Sequence, residues 1–242
     1  MKTIKILVVE GPAGSGKTYL INSLVDHVKA LAGIDLLKVP MPFDFSPPRA
    51  YGDTPSAIQD FGTAMAYAKD MARLASLAAF EYAVLPSPHD RENEIVYVMD
   101  RWLISTLVYG RIRAGLNIDT YHRESRSFLS TLLSMPKFIA GYQSRYPKTL
   151  LEQQFEEVRI ELLFAVNLPK VELIESRRAS CTREFPYKAD LELSTYQDCV
   201  SNLISHYETS AMVDQTARAN FLVIGDELSD GSVHQLLTWL QK

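Results

Sequence analysis

The residues with the clearest capacity for chemistry are Gly11-Pro12-Ala13-Gly14-Ser15-Gly16-Lys17-Thr18, which meet the pattern Gly-x-x-x-x-Gly-Lys-[Ser/Thr] in full. Glycines in such a stretch let successive backbone N–H groups turn inward without Cβ clashes. At the mouth of a helix a phosphate then gains hydrogen bonds and the helix dipole together. Gly11, Gly14, Ser15 and Gly16 would shape the cradle, Lys17 would reach the β- and γ-phosphates, and the Thr18 hydroxyl would ligate Mg²⁺. ATP and Mg²⁺ are therefore the expected cofactors.

Four further sets of polar residues could complete such a site. Asp100 and Arg101 follow the continuous apolar run Ile95-Val96-Tyr97-Val98-Met99. A carboxylate at the end of a core strand suits a metal or its water shell, and the neighbouring guanidinium fork suits phosphoryl oxygens. Arg177, Arg178 and Arg183 lie within Glu175–Glu184, a segment expected to form a lid over residues 176–190 and to bring positive charge onto a transferred phosphate. Asp44, Arg49 and Asp53 sit in a proline-rich stretch from Met41 to Pro55, while Asp70, Arg73 and Glu81 fall on a helical pattern from Ser56 to about Pro86. The proline-rich stretch would lie over strand tips, and the helix could face the cleft.

The elements that must position these residues are legible as apolar runs. Ile4 to Val9, Ile34 to Val39, Ile95 to Met99, Leu162 to Val166 and Asn220 to Ile224 read as strands. Between them, Thr18 to Leu31, Leu103 to Gly115, Leu150 to Glu161, Ala189 to about Ala219 and Ser232 to Leu240 read as helices, with a further helix entered near Pro169. A phosphate loop between the first strand and first helix, with strands and helices alternating beyond it, predicts a doubly wound α/β arrangement. Its sheet is expected to be five-stranded and mainly parallel, with helices on both faces and a long crossover between the third and fourth strands.

Composition narrows the class. A chain of 242 residues with 47% apolar and 22% charged residues is an ordinary globular composition and can bury one substantial core. One domain over residues 1–242 is expected. Two cysteines make neither a disulfide framework nor a zinc site. No apolar run approaches a membrane span and no signal peptide is evident, so the expectation is a cytoplasmic protein without a membrane partner. The net charge of −4 offers no global attraction to nucleic acid. Locally, however, residues 101–148 carry an excess of six positive charges, interleaved with Tyr109, Tyr121, Phe128, Phe138, Tyr142 and Tyr146. A basic, ring-bearing face suits a polyanion or a nucleotide held by phosphate clamp and base stacking.

Glu10-Gly11 with Gly16-Lys17-Thr18, then Asp100-Arg101-Trp102-Leu103-Ile104-Ser105 through Tyr109-Gly110, then Asn167 to Glu172 with Arg177 and Arg178, resemble the phosphate loop, Asp-Arg segment and lid entry of thymidylate kinases and phage-type deoxynucleotide kinases. The resemblance covers about half the chain. It implies a three-layer P-loop kinase fold with a lid and a substrate-side insertion at 111–148. It also implies Arg101 on the acceptor's phosphate, Asp100 near the metal, and Arg177, Arg178 or Arg183 on the transferred group. Asp44, Arg49, Asp70, Arg73 and Tyr109 are the further residues expected around the acceptor. The sequence departs from that family at the base-recognition helix, where Met71 and Arg73 replace an arginine and a glutamine, and at Gly110, which replaces a glutamine. The implied activity is transfer of the ATP γ-phosphate to a deoxynucleoside monophosphate or similar nucleotide. Alternatives are a kinase acting on a hydroxymethylated pyrimidine within DNA, bound through the basic segment, and a deoxynucleoside kinase. A homodimer is compatible with these readings, and a phage-encoded chain would work in the host cytoplasm.

Overall fold

The computed structural model describes residues 2–29, 33–39, 94–114, 158–182, 184–209, 217–225 and 230–241. The first strand, β1 (Lys2–Glu10), shows how the layers form. Successive side chains of a strand point to opposite faces. Ile6 and Val8 therefore join one core cluster, and Leu7 and Val9 the other. Both clusters are built of buried, mostly apolar side chains, as the unbroken apolar run requires.

The remaining strands are β2 (Ile34–Val39), β3 (Glu94–Asp100), β4 (Val158–Asn167) and β5 (Ala217–Ile224). They make a five-stranded sheet in the order β2-β3-β1-β4-β5. Every pairing in it is parallel. The helices are α1 (Lys17–Val28), α2 (Leu103–Ala114), α3 (Val171–Ala179), α4 (Ala189–Thr209) and α5 (Asp230–Leu240). On one face of the sheet, Trp102 and the α2 residues Ile104, Leu107 and Val108 pack with Tyr196, Cys199, Val200 and Leu203 of α4. On the other, Leu20, Ile21, Leu24 and Val28 of α1 pack with Leu236 and Leu240 of α5. The result is a three-layer α/β arrangement.

Two helix expectations are corrected. Residues 158–161, read as the end of a helix from Leu150, open β4, and residues 217–219, read as the end of a helix from Ala189, open β5. In both places a short alternation such as Val158-Arg159-Ile160-Glu161 completes a parallel ladder, pairing with β1 in the one case and β4 in the other. Ladder hydrogen bonds to a neighbour outweigh weak local helical preference. The sites expected at Asp44, Arg49, Asp53, Asp70, Arg73, Glu81 and Arg183, and residues 115–148 of the basic segment, lie outside the described residues. Among the described residues no helix is long and apolar enough to cross a membrane.

Register places the polar residues together. Val9 lies level with Asp100 on β3 and with Ala165 on β4, and Glu10 lies level with Val166. Glu10, Asp100 and Asn167 thus share the carboxyl edge of three adjacent strands. β1 is central, with β3 on one side and β4 on the other, so this edge is the switch point where open α/β sheets bind ligands.

Candidate active site

The loop from Gly11 to Gly16 leaves β1 at that edge and opens α1. Gly16 caps the helix with φ 96° and ψ 16°, a left-handed conformation that a side chain would strain. Among the described residues no side chain caps this end, and N–H groups at the start of a helix suit an anion. Gly11 is required for a different reason. A Cβ there would collide with the Asn167 carbonyl, because β4 passes directly behind the loop.

Lys17 folds back over its own loop. Its Nζ donates to the Gly11 carbonyl at 2.9 Å, to the Pro12 carbonyl at 2.7 Å and to Ser15 Oγ at 3.4 Å. Burial pushes its pKa well down, the positive charge of Arg101 adds to the fall, and Asp100, Glu10 and Glu192 oppose it. An ammonium in that setting gains by meeting an added negative charge. Thr18 is exposed.

The back of the loop is gripped from β4 and α3. Asn167 Nδ2 and Arg177 Nη1 both donate to the Ser15 carbonyl, at 2.6 Å and 2.7 Å. Arg178 Nε donates to the Ala13 carbonyl at 2.9 Å and its Nη1 to the Tyr187 carbonyl at 2.7 Å. Its guanidinium lies over the Phe185 ring, 4.9 Å from the centroid. The expected lid segment is therefore helical as far as Ala179, and both described arginines contact loop carbonyls.

Arg101 adopts φ 64°, the one positive φ of a non-glycine residue among those described, and its N–H bonds the Val9 carbonyl at 2.9 Å. Its Nη1 donates to the Tyr109 hydroxyl at 2.6 Å. That hydroxyl donates to Glu192 Oε2 at 3.0 Å, and the same oxygen accepts the Ala13 N–H at 2.9 Å and pairs with Arg178 Nη2 at 3.1 Å. A continuous polar path thus runs from the Asp-Arg turn to the phosphate loop. Asp100 Oδ1 and Asn167 Oδ1 are buried and have no hydrogen-bond partner among the described residues.

Beneath this path Glu10 is completely buried. Its Oε1 accepts the Trp102 N–H at 2.7 Å and the Ser105 N–H at 3.3 Å, which caps the start of α2. Its Oε2 accepts the Ser105 hydroxyl, which also bonds Tyr196 OH at 2.6 Å. Burial raises the Glu10 pKa, opposed by the Ser105 and Trp102 hydrogen bonds and by Arg101. Burial likewise holds the phenols of Tyr196 and Tyr109 protonated, against the pull of Arg101.

Of the residues singled out from sequence, the fold brings Lys17, Asp100, Arg101, Tyr109, Arg177 and Arg178 to one edge. Sequence reasoning passed over Glu10, Ser105, Asn167, Glu192 and Tyr196. Two signals could have found the acids. Glu10 ends a buried strand just as Asp100 does. Glu192 stands on the stripe Ala189, Glu192, Tyr196, Cys199, Leu203, all of it buried, where an acid is out of place.

An oxygen-only donor set with an orphaned carboxylate oxygen at Asp100 suits a hard cation such as Mg²⁺. Among the described residues no group of three or more His, Cys, Asp or Glu could hold a metal alone. Phosphate oxygens and water would have to supply the rest of the shell.

Fold and loop together give a parallel α/β sheet with the Gly-x-x-x-x-Gly-Lys-[Ser/Thr] turn at its carboxyl edge. No protein-family model and no curated protein matches the sequence. Among solved structures, a deoxyadenosine kinase from M. mycoides with bound dATP is similar at a TM-score of 0.47 and 11% identity, covering 98% of this chain and 100% of that one. The same enzyme with bound dCTP is similar at a TM-score of 0.45 and 13% identity, covering 98% of each chain.

Proposed function

We propose that the protein is a phosphotransferase that moves the γ-phosphate of ATP to a deoxynucleoside monophosphate or a similar nucleotide acceptor. The observation that carries this reading is the hydrogen-bonded path from Arg101 through Tyr109 and Glu192 to the Ala13 N–H. It sets a guanidinium suited to an acceptor phosphate beside a loop suited to a donor phosphate.

In this reading the loop N–H groups and Lys17 bind the donor's β- and γ-phosphates, and Arg101 orients the acceptor's phosphate. Arg178 and Arg183 neutralise charge on the group in flight. Asp44, Arg49, Asp70, Arg73 and Tyr109 contribute to holding the acceptor. Thr18 and Asp100 would hold Mg²⁺, which supplies charge neutralisation between the phosphates. A phosphate acceptor is already a nucleophile and needs no strong base. A second reading, a deoxynucleoside acceptor, draws support from Asp100 Oδ1, a carboxylate oxygen without a partner among the described residues that could take a hydroxyl proton.

Labelled ATP with Mg²⁺ and a panel of deoxynucleosides, deoxynucleoside monophosphates and hydroxymethylated DNA separates these outcomes. Label in a nucleoside diphosphate is expected. Label confined to nucleoside monophosphate would favour the second reading, and label confined to polymer would overturn both.

A further inference from the structure

Three groups that would meet a donor phosphate, Lys17, the Ala13 N–H and Arg178, are already engaged within the protein. Lys17 rests on loop carbonyls, while the Ala13 N–H and Arg178 Nη2 converge on one oxygen of Glu192. Glu192 is almost wholly buried, and its Oε2 accepts the Ala13 N–H at 2.9 Å and the Tyr109 hydroxyl at 3.0 Å and lies in an ion pair 3.1 Å from Arg178 Nη2, so the phosphate loop, α2 and α3 meet on one oxygen. A carboxylate oxygen and a phosphoryl oxygen ask for the same charge-assisted bonds. Two such anions cannot share them at close range without strong repulsion.

We propose that Glu192 is a positioning residue that stands in for a phosphoryl oxygen at Ala13 and Arg178, yields those donors to the terminal phosphate of a nucleoside triphosphate, and through Tyr109 resets Arg101 as it does so. The proposal rests on the phosphotransfer reading and deepens it. When the phosphate takes the Ala13 N–H and Arg178, Glu192 Oε2 loses the two donors that hold it in place. The Tyr109 hydroxyl bonded to that carboxylate shifts as Glu192 shifts, and the bond it accepts from Arg101 Nη1 changes with it. Donor binding is thereby coupled to the placement of the acceptor-side guanidinium, and the coupling acts equally in both directions.

The test compares the full-length wild type with Glu192→Gln and Tyr109→Phe, titrating each with ATP and Mg²⁺ by calorimetry and then assaying transfer. Glu192→Gln keeps the shape and removes the competing charge, so ATP should bind about tenfold more tightly, as when one charge-assisted bond is no longer contested. Its acceptor KM should rise, because Tyr109 loses its charged anchor. Tyr109→Phe should raise acceptor KM and abolish the change in ATP affinity that the acceptor produces in the wild type. A merely structural Glu192 would give ATP affinity that is equal or weaker in Glu192→Gln, and that result overturns the inference while leaving phosphotransfer standing. Absence of ATP binding in the wild type would overturn the phosphotransfer reading itself. Should Glu192→Gln unfold, Glu192→Asp retains the charge and withdraws it from Ala13, and the same tightening is expected.

Discussion

The two faces of the sheet carry different burdens. Against α1 and α5 the packing among the described residues is mostly of Leu, Ile and Val side chains, and the buried Lys5 sends its Nζ to the Leu240 carbonyl at 2.9 Å at the end of α5. That contact satisfies a helix terminus and lies away from the carboxyl edge. Against α2 and α4 an apolar core of similar size is threaded by Glu10, Ser105 and Tyr196, and above them by Arg101, Tyr109 and Glu192. Burying polar groups is costly unless each is bonded, so a fold gains nothing from them as mere filler. One face therefore serves as scaffold, and the other holds the Asp-Arg turn and the phosphate loop in fixed relation.

Substitutions on the two faces should fail in different ways. The largest effect is expected on the threaded face: Arg101→Ala should lower kcat/KM for the acceptor by about 10²–10³-fold, comparable with loss of one preorganised donor at a transition state. ATP affinity measured alongside should change far less. Next comes the scaffold face. Leu24→Ala should cost about 2–5 kcal/mol of stability, read from denaturant unfolding, with kcat of the folded fraction unchanged. If instead kcat fell with stability preserved, the division between faces would be wrong.

Ser105→Ala should cost about 1–3 kcal/mol, since a buried carboxylate loses its hydroxyl donor. Unlike Leu24→Ala it should also lower kcat, because Glu10 anchors the turn that carries Arg101. The smallest effect concerns pH. Glu10 titrates above its ordinary 4.5 in the folded protein. The folded state then holds more protons than the unfolded chain between those two values, so stability is lost as the pH climbs from 4.5 through the raised value. Glu10→Gln should flatten that slope in thermal unfolding midpoints taken across acidic pH.

What could be read from the sequence was local. Gly11 to Thr18 announce a phosphate loop because the motif, the strand before it and the helix after it are contiguous. Asp100 and Arg101 stand out because a buried strand ends there. Glu192 meets Ala13 across 179 positions, so no local pattern reveals the contact. Its place among buried neighbours on α4 was a sign of something unusual without saying what. The openings of β4 and β5 were misread because their polar alternations are too short to compete with the helical patterns beside them, and a neighbouring strand decides the matter. Arg177 and Arg178 stand out in the sequence as clustered cations, while their hold on the Ser15 and Ala13 carbonyls depends on how α3 docks.

The most direct test is equilibrium binding of ATP to the purified protein, with and without Mg²⁺, beside Lys17→Ala of verified fold. Magnesium-dependent binding by the wild type, lost in Lys17→Ala, is the expected result. A folded wild-type protein that binds no nucleoside triphosphate, or a Lys17→Ala variant that binds as well as its parent, would contradict it.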